Sequence, residues 1–272
     1  MTAFEYCKNI LSSPMLCEKL KPYNVSLEEA FDGSDRTPFV VRNPARSEAI
    51  AFSEEQIKFP KAGSLGDKRQ RGKALHFFAN HELLAIEMMA QAVCQFPEMP
   101  ESMVKSLIGT ITDEQKHFNL YLERMKDFDV SFGDYPLNAF FWSYMEKIET
   151  YQGFFAVMSL TFEQANLDFC KHYEEVFKKV GDEKTANLLK LVYDDEIKHV
   201  ARGYTVLKKK NADDLWCYYR ELLPAPLTPA RAKGMIFDTE GRVKAGLELS
   251  FIKDLQAYQS DFKVTKRKSW KT

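Results

Sequence analysis

Apolar positions in this chain recur every three to four residues over long stretches, which predicts helices. From about Asp67 to Phe96 only Gly72 interrupts a run of good helix formers, and Pro97-Glu98-Met99-Pro100 stops it. A second helix is expected from about Glu101 to Phe128, with Gly133 and Pro136 in the segment beyond it. Asn138 to Thr150 reads as a short aromatic helix. A third long helix fits Gly153 to Lys179, ended by Gly181-Asp182, and a fourth fits Glu183 to Lys210. Outside these, Phe4 to Leu20 has room for one or two short helices. A stretch rich in turn residues follows, including Asp32 to Asp35, Asn43-Pro44 and Pro60. After residue 210 come a short helix near Leu215 to Leu222, a proline-rich turn at Pro224, Pro226 and Pro229, and a last helical stretch from Arg242 to Phe262. The terminus from Lys263 to Thr272 is basic and is expected to fray. No segment alternates with period two convincingly, so no sheet is expected. The pattern predicts an all-α protein of one domain, 1–272: an extension over 1–63, a four-helix bundle over 64–210, and a helical extension over 211–272.

The polar residues inside this apolar pattern carry the chemistry. Two of the five histidines sit in one frame, Asp-Glu-x-x-His: Asp113-Glu114-Gln115-Lys116-His117 and Asp195-Glu196-Ile197-Lys198-His199. A given histidine meets that frame by chance only about once in a few hundred cases. Residues three apart are neighbours on a helix, so each frame can offer a carboxylate and an imidazole to one metal ion. A lone glutamate precedes each frame. Glu82 and Glu114 lie 32 apart about residue 98, in the Pro97–Pro100 turn, and Glu163 and Glu196 lie 33 apart about residues 179–180, beside Gly181. In an antiparallel hairpin, residues equidistant from the turn lie level. Each hairpin thus brings a lone glutamate beside a Glu-x-x-His.

The same-face neighbours of these glutamates are largely apolar: Phe78, Ala79, Ala85 and Ile86 around Glu82, and Leu160, Leu167 and Cys170 around Glu163. Four buried carboxylates repel one another, and two divalent cations balance them. The expected ligands are Glu82, Glu114, His117, Glu163, Glu196 and His199. Oxygen donors with one imidazole per ion suit two iron ions, an iron/manganese pair or two manganese ions better than a thiolate-seeking metal. Asp113 and Asp195 are expected to accept a hydrogen bond from the far nitrogen of a ligand histidine on the opposing helix. Glu87, five residues past Glu82, has three roles open: alternative ligand, a group supporting the ligands, or partner of a buried arginine. His76 and His81 are expected to pack or hydrogen-bond, and His172 to face solvent. Tyr121 and Tyr193, one turn from ligands, are expected to pack rather than to carry redox chemistry.

The order Glu, Glu-x-x-His, Glu, Glu-x-x-His resembles ferritin-like di-iron carboxylate proteins. The finer resemblance is to a bacterial family, domain-of-unknown-function family four-five-five, itself similar to MiaE-type tRNA hydroxylases. It rests on His76 and His81-Glu82-Leu83-Leu84-Ala85-Ile86-Glu87, on Asp113-Glu114-x-x-His117-Phe118, and on Phe162-Glu163-Gln164-Ala165-Asn166-Leu167-Asp168. It continues through Gly181-Asp182, Asp194-Asp195-Glu196-Ile197-Lys198-His199-Val200-x-x-Gly203, and the tail pieces Pro229-Ala230-Arg231-Ala232-Lys233-Gly234 and Arg242 with Ala245-Gly246. Asn166 stands where that family is expected to have glycine. The resemblance implies a metal site in a helical bundle and no particular substrate.

Composition adds exclusions. The 272 residues carry 38 Lys and Arg against 39 Asp and Glu, a net charge of −1 that gives no overall reason to expect nucleic acid or an anionic membrane surface. No apolar run is long enough to span a bilayer, and the N-terminus shows no secretion signal. The five cysteines form no C-x-x-C pair, so neither a disulfide framework nor a thiolate zinc site is expected, and the reading is cytoplasmic. The function expected is an O2-activating dimetal oxidoreductase that hydroxylates or oxidises an organic substrate, a small molecule or a modified base, with electrons from an external donor. A homodimer is compatible with it. The alternatives are a ferroxidase or iron-handling protein and a noncatalytic bundle clamped by its metal.

Overall fold

A computed structural model describes every residue except 25, 27, 28, 32–35, 56, 212 and 261–272. The expected turn at Asp32 to Asp35 and the basic terminus lie outside the described residues. The fold is all-α: the only extended pairing among the described residues is an isolated bridge between Phe52 and Leu137.

The helices start where the side chains supply caps. α1 (Ala3–Ser12) opens with Thr2 and Glu5, which cap each other's backbone amides. α2 (Leu16–Lys19) is one turn. α3 (Lys68–Gln95) is capped by Asp67, whose carboxylate accepts from the Arg69 amide at 2.7 Å. α4 (Glu101–Lys126) begins directly after Pro100. α5 (Tyr151–Val157) passes through a π turn, Met158–Glu163, into α6 (Gln164–Lys179). α7 (Glu183–Lys210) follows Gly181, whose φ of +75° is left-handed backbone that suits glycine. α8 (Leu215–Glu221), α9 (Thr239–Lys244) and α10 (Leu249–Ala257) are the last helices among the described residues, with Asp214 and Asp238 capping α8 and α9.

Three sequence expectations change. The third long helix is not a uniform α-helix, because the π turn interrupts it. Asn138 to Thr150 holds only a 3-10 helix, Trp142–Lys147, with the Trp142 indole donating to the Arg42 carbonyl at 2.8 Å. The expected helix from Arg242 to Phe262 is two helices, broken at Gly246 with φ +79°, and its last two residues lie outside the described ones.

The chain forms two compact units that do not follow its order. The first comprises residues 1–154 and 170–195. In it α3 packs along α4 and α1 packs on α3, with Leu83, Leu84, Ile86, Met88 and Met89 fully buried. The loop at the start of α7 joins this core through Arg124, which donates to Asp182 at 2.7 Å and to Thr185 at 3.0 Å. Phe78 on α3 meets the rings of Tyr121 and Tyr173. The second unit comprises residues 155–169 and 196–272. Its core gathers Phe155, Leu160, Tyr219, Phe251 and Leu255, with Trp216 edge-on to Phe251.

Candidate metal centre

In the first unit the α3–α4 hairpin brings Glu82, Glu114 and His117 together. One ligand atom from each lies within 4.8 Å of the others, and none of the three residues is more than 5% exposed. His117 Nδ1 stands 3.1 Å from Glu114 Oε2, within its own Glu-x-x-His frame. Its Nε2 stands 3.1 Å from Asp195 Oδ2 on α7. A carboxylate only accepts, so Nε2 carries a proton toward Asp195. The ring then lies between two acceptors. It either carries a second proton at Nδ1 or presents that nitrogen's lone pair to a cation. The Lys116 ammonium also approaches Asp195, at 3.7 Å.

In the second unit Glu163, Glu196 and His199 likewise offer ligand atoms within 4.8 Å of one another, all at most 2% exposed. Glu163 is the last residue of the π turn. Glu196 and His199 are one turn apart on α7, with His199 Nδ1 3.5 Å from Glu196 Oε2. Asn166, one turn after Glu163 on α6, donates to Glu196 Oε1 at 2.8 Å. That bond occupies one Glu196 oxygen and turns the other toward His199.

The two triads share a chemistry: two carboxylates and one imidazole, withdrawn from water. Removing two like charges from water a few ångströms apart is costly, and a divalent cation is the simplest compensation. The donor set is hard oxygen plus imidazole with no thiolate, a set that could hold a divalent metal ion. Cys170 is buried in the first unit and Cys17 and Cys217 are exposed, and none belongs to either triad.

The remaining candidates fall elsewhere. Glu87 takes the third of its open roles: Arg46 donates to both its oxygens, at 2.6 and 3.1 Å, and the Lys19 ammonium lies 3.1 Å away. Burial pushes the Lys19 amine below its usual range. Asp113 is half-buried. His76 accepts from the Gly133 amide at 3.0 Å and stacks on Phe132. His81 stacks on Phe141. His172, expected in solvent, is half-buried against Tyr173.

Sequence reasoning also missed a buried polar network beside Glu163. Asp168 pairs with Arg242 at 2.6 Å and accepts from the Gly234 and Asp238 amides. Tyr219 meets Thr161 at 2.8 Å. The signal was present: Gln164, Asn166 and Asp168 are polar residues set among Phe162, Ala165, Leu167, Phe169 and Cys170.

A family model matches residues 13–253, and its description is a protein of unknown function, DUF455. No curated protein and no solved structure matches the chain.

Proposed function

We propose, from the premise that the chain belongs to the DUF455 family, that it is a ferritin-like dimetal carboxylate oxidoreductase. The observation that carries this reading is the pair of buried triads of identical composition, Glu82/Glu114/His117 and Glu163/Glu196/His199. Their order along the chain, a lone glutamate before each Glu-x-x-His, is the ligand order of carboxylate bundles that hold two metal ions. Two iron ions, or iron with manganese or two manganese ions, would supply O2 activation there, with electrons from an external donor.

The residues of the chain prepare that centre. Asp195 holds the His117 ring so that Nδ1 faces Glu114. Asn166 orients Glu196. Phe118, Tyr121, Ile86 and Ile111 are buried in the first unit and exclude water from its helices. The substrate is proposed to be organic, a small molecule or a modified base, and the similarity to MiaE-type enzymes makes hydroxylation the first reaction to assay. No helix of the described residues is long and apolar enough to cross a membrane.

Elemental analysis of protein purified without added metal tests the reading, with Glu114→Ala beside it. About two iron, or iron plus manganese, per chain is expected, lost in the variant. O2 uptake by the Fe(II) form would then exclude a purely structural clamp, and substrate-dependent turnover would separate an oxygenase from a ferroxidase. Wild-type protein that is metal-free and fails to take up Fe(II) anaerobically would end the proposal.

A further inference from the structure

The π turn that ends on Glu163 is contacted by the C-terminal extension through Tyr219 on α8. A π turn absorbs one extra residue, and one residue is about 100° of helix azimuth. Glu163 therefore points where it does, relative to α5, only while the turn persists. The wide turn takes backbone groups out of the regular i→i−4 ladder. Those groups need partners when they are buried.

The partners are specific. Thr161 Oγ1 donates to the Ala156 carbonyl five residues back, at 2.8 Å. The Tyr219 hydroxyl, on α8, has one proton and two acceptors within its reach, Thr161 Oγ1 at 2.8 Å and the Leu160 carbonyl at 3.1 Å. With its amide oriented to meet complementary partners, Gln164 also donates to Leu160 O, at 2.6 Å, and accepts from Arg242 Nε at 3.2 Å. Arg242 in turn is fixed by Asp168. Tyr219, Thr161, Gln164, Asp168 and Arg242 are all fully buried. Burial pushes the Tyr219 phenol above its usual range, so the hydroxyl keeps its proton as a donor. The space beside the turn is shaped as well. Gly203, one turn past His199 on α7, would place a Cβ 2.2 Å from Ser159 Cβ.

We infer that Tyr219 and Thr161 are positioning residues for the metal centre: their hydroxyls hold the π turn that delivers the Glu163 carboxylate to Glu196 and His199. This rests on the dimetal reading above. It gives the C-terminal extension a task at the site that simple packing of an aromatic ring does not require. Phenylalanine at 219 would pack alike and lack only the hydroxyl.

The test is anaerobic titration with Co(II), read by its visible ligand-field bands and by stoichiometry, on wild type, Tyr219→Phe, Thr161→Val and Thr161→Ser. Wild type should bind about two ions. Tyr219→Phe and Thr161→Val should keep their helical circular dichroism, weaken one of the two ions by about 10-fold or more, and alter its bands. Thr161→Ser, which keeps the hydroxyl, should behave as wild type. Should Tyr219→Phe not fold, the Thr161 pair carries the same comparison. Co(II) binding and spectra unchanged in both Tyr219→Phe and Thr161→Val would overturn the inference while leaving the dimetal reading intact. Wild type that binds no Co(II) would overturn both.

Discussion

At the scale of single residues, three buried glutamates on α3 and α4 meet different fates because of what surrounds them. Glu87 is as buried as Glu82 and Glu114, but Arg46 and Lys19 neutralise it. Removing one partner of a buried ion pair leaves an uncompensated charge, which costs about 3–5 kcal/mol. Glu87→Ala should therefore lower the urea-unfolding free energy by about that amount and leave metal content unchanged. Metal lost together with stability would place Glu87 among the ligands. Asp195 makes the converse case. Asp195→Asn keeps the shape beside His117 but weakens the acceptor for its Nε2 proton. Metal affinity should fall by about 10- to 100-fold, measured by competition with a chelator, and helical content should hold. The sequence made the triad residues legible because spacing alone carries them: two frames and two symmetric intervals. It left Glu87 undecided because Arg46 lies 41 residues away, in an extension with no periodic pattern.

At the scale of elements, boundaries were legible wherever a breaker residue stands. α4 begins after Pro100 and α7 begins just beyond Gly181, as the sequence reading expected. The π turn was invisible for a physical reason. Its side chains Met158 to Glu163 are all buried, so no polar face exists from which a phase slip could be read. The contact between Gly203 and Ser159 tests the packing of that turn. Gly203→Ala inserts a methyl group where there is no room, and should destabilise the protein by roughly 1–3 kcal/mol. Adding Ser159→Gly removes the atoms it strikes, so the double variant should melt above Gly203→Ala alone. If the double variant melts lower still, the two helices do not meet through these atoms. A second element, the loop bearing Gly133, is tied to α3 by His76. Burial lowers the His76 imidazole to about 4. The unfolded chain, with an ordinary histidine near ~6.5, binds the proton more readily. Stability from His76 is thus full above pH 6.5 or so and is lost as pH falls toward 4, by up to about 1.4 kcal/mol per pH unit. Replacement by glutamine should flatten the stability profile over that window, and an unchanged slope would remove His76 as its source.

At the scale of the whole molecule, a net charge of −1 conceals a strongly uneven distribution. Each unit withdraws two carboxylates and an imidazole into a space a few ångströms wide, and nothing in the overall balance reveals it. The sequence exposed this concentration only because the glutamates fall on apolar faces of helices. Such a protein should be more stable with a divalent cation than without, and the sign can be separated from ordinary ligand stabilisation. A cation that binds only the folded form at 100 times its dissociation constant adds about 2.7 kcal/mol. At about 2–4 °C per kcal/mol, that raises the melting temperature by roughly 5–10 °C. Mn(II), added without oxygen or reductant, should produce a rise of this order in wild type. Glu114→Gln should show the opposite pair of effects. Without metal it relieves the repulsion from Glu82, keeps nearly the same volume and still offers an amide oxygen to His117 Nδ1, so it should melt no lower than metal-free wild type. With Mn(II) it should gain much less, because the triad lacks an anionic ligand. A metal-free Glu114→Gln that melts well below metal-free wild type would mean that the Glu114 carboxylate is already compensated by groups of the protein itself. The electrostatic case for a cation at the first triad would then fail, even if the two helices still carried the same frame of glutamate and histidine.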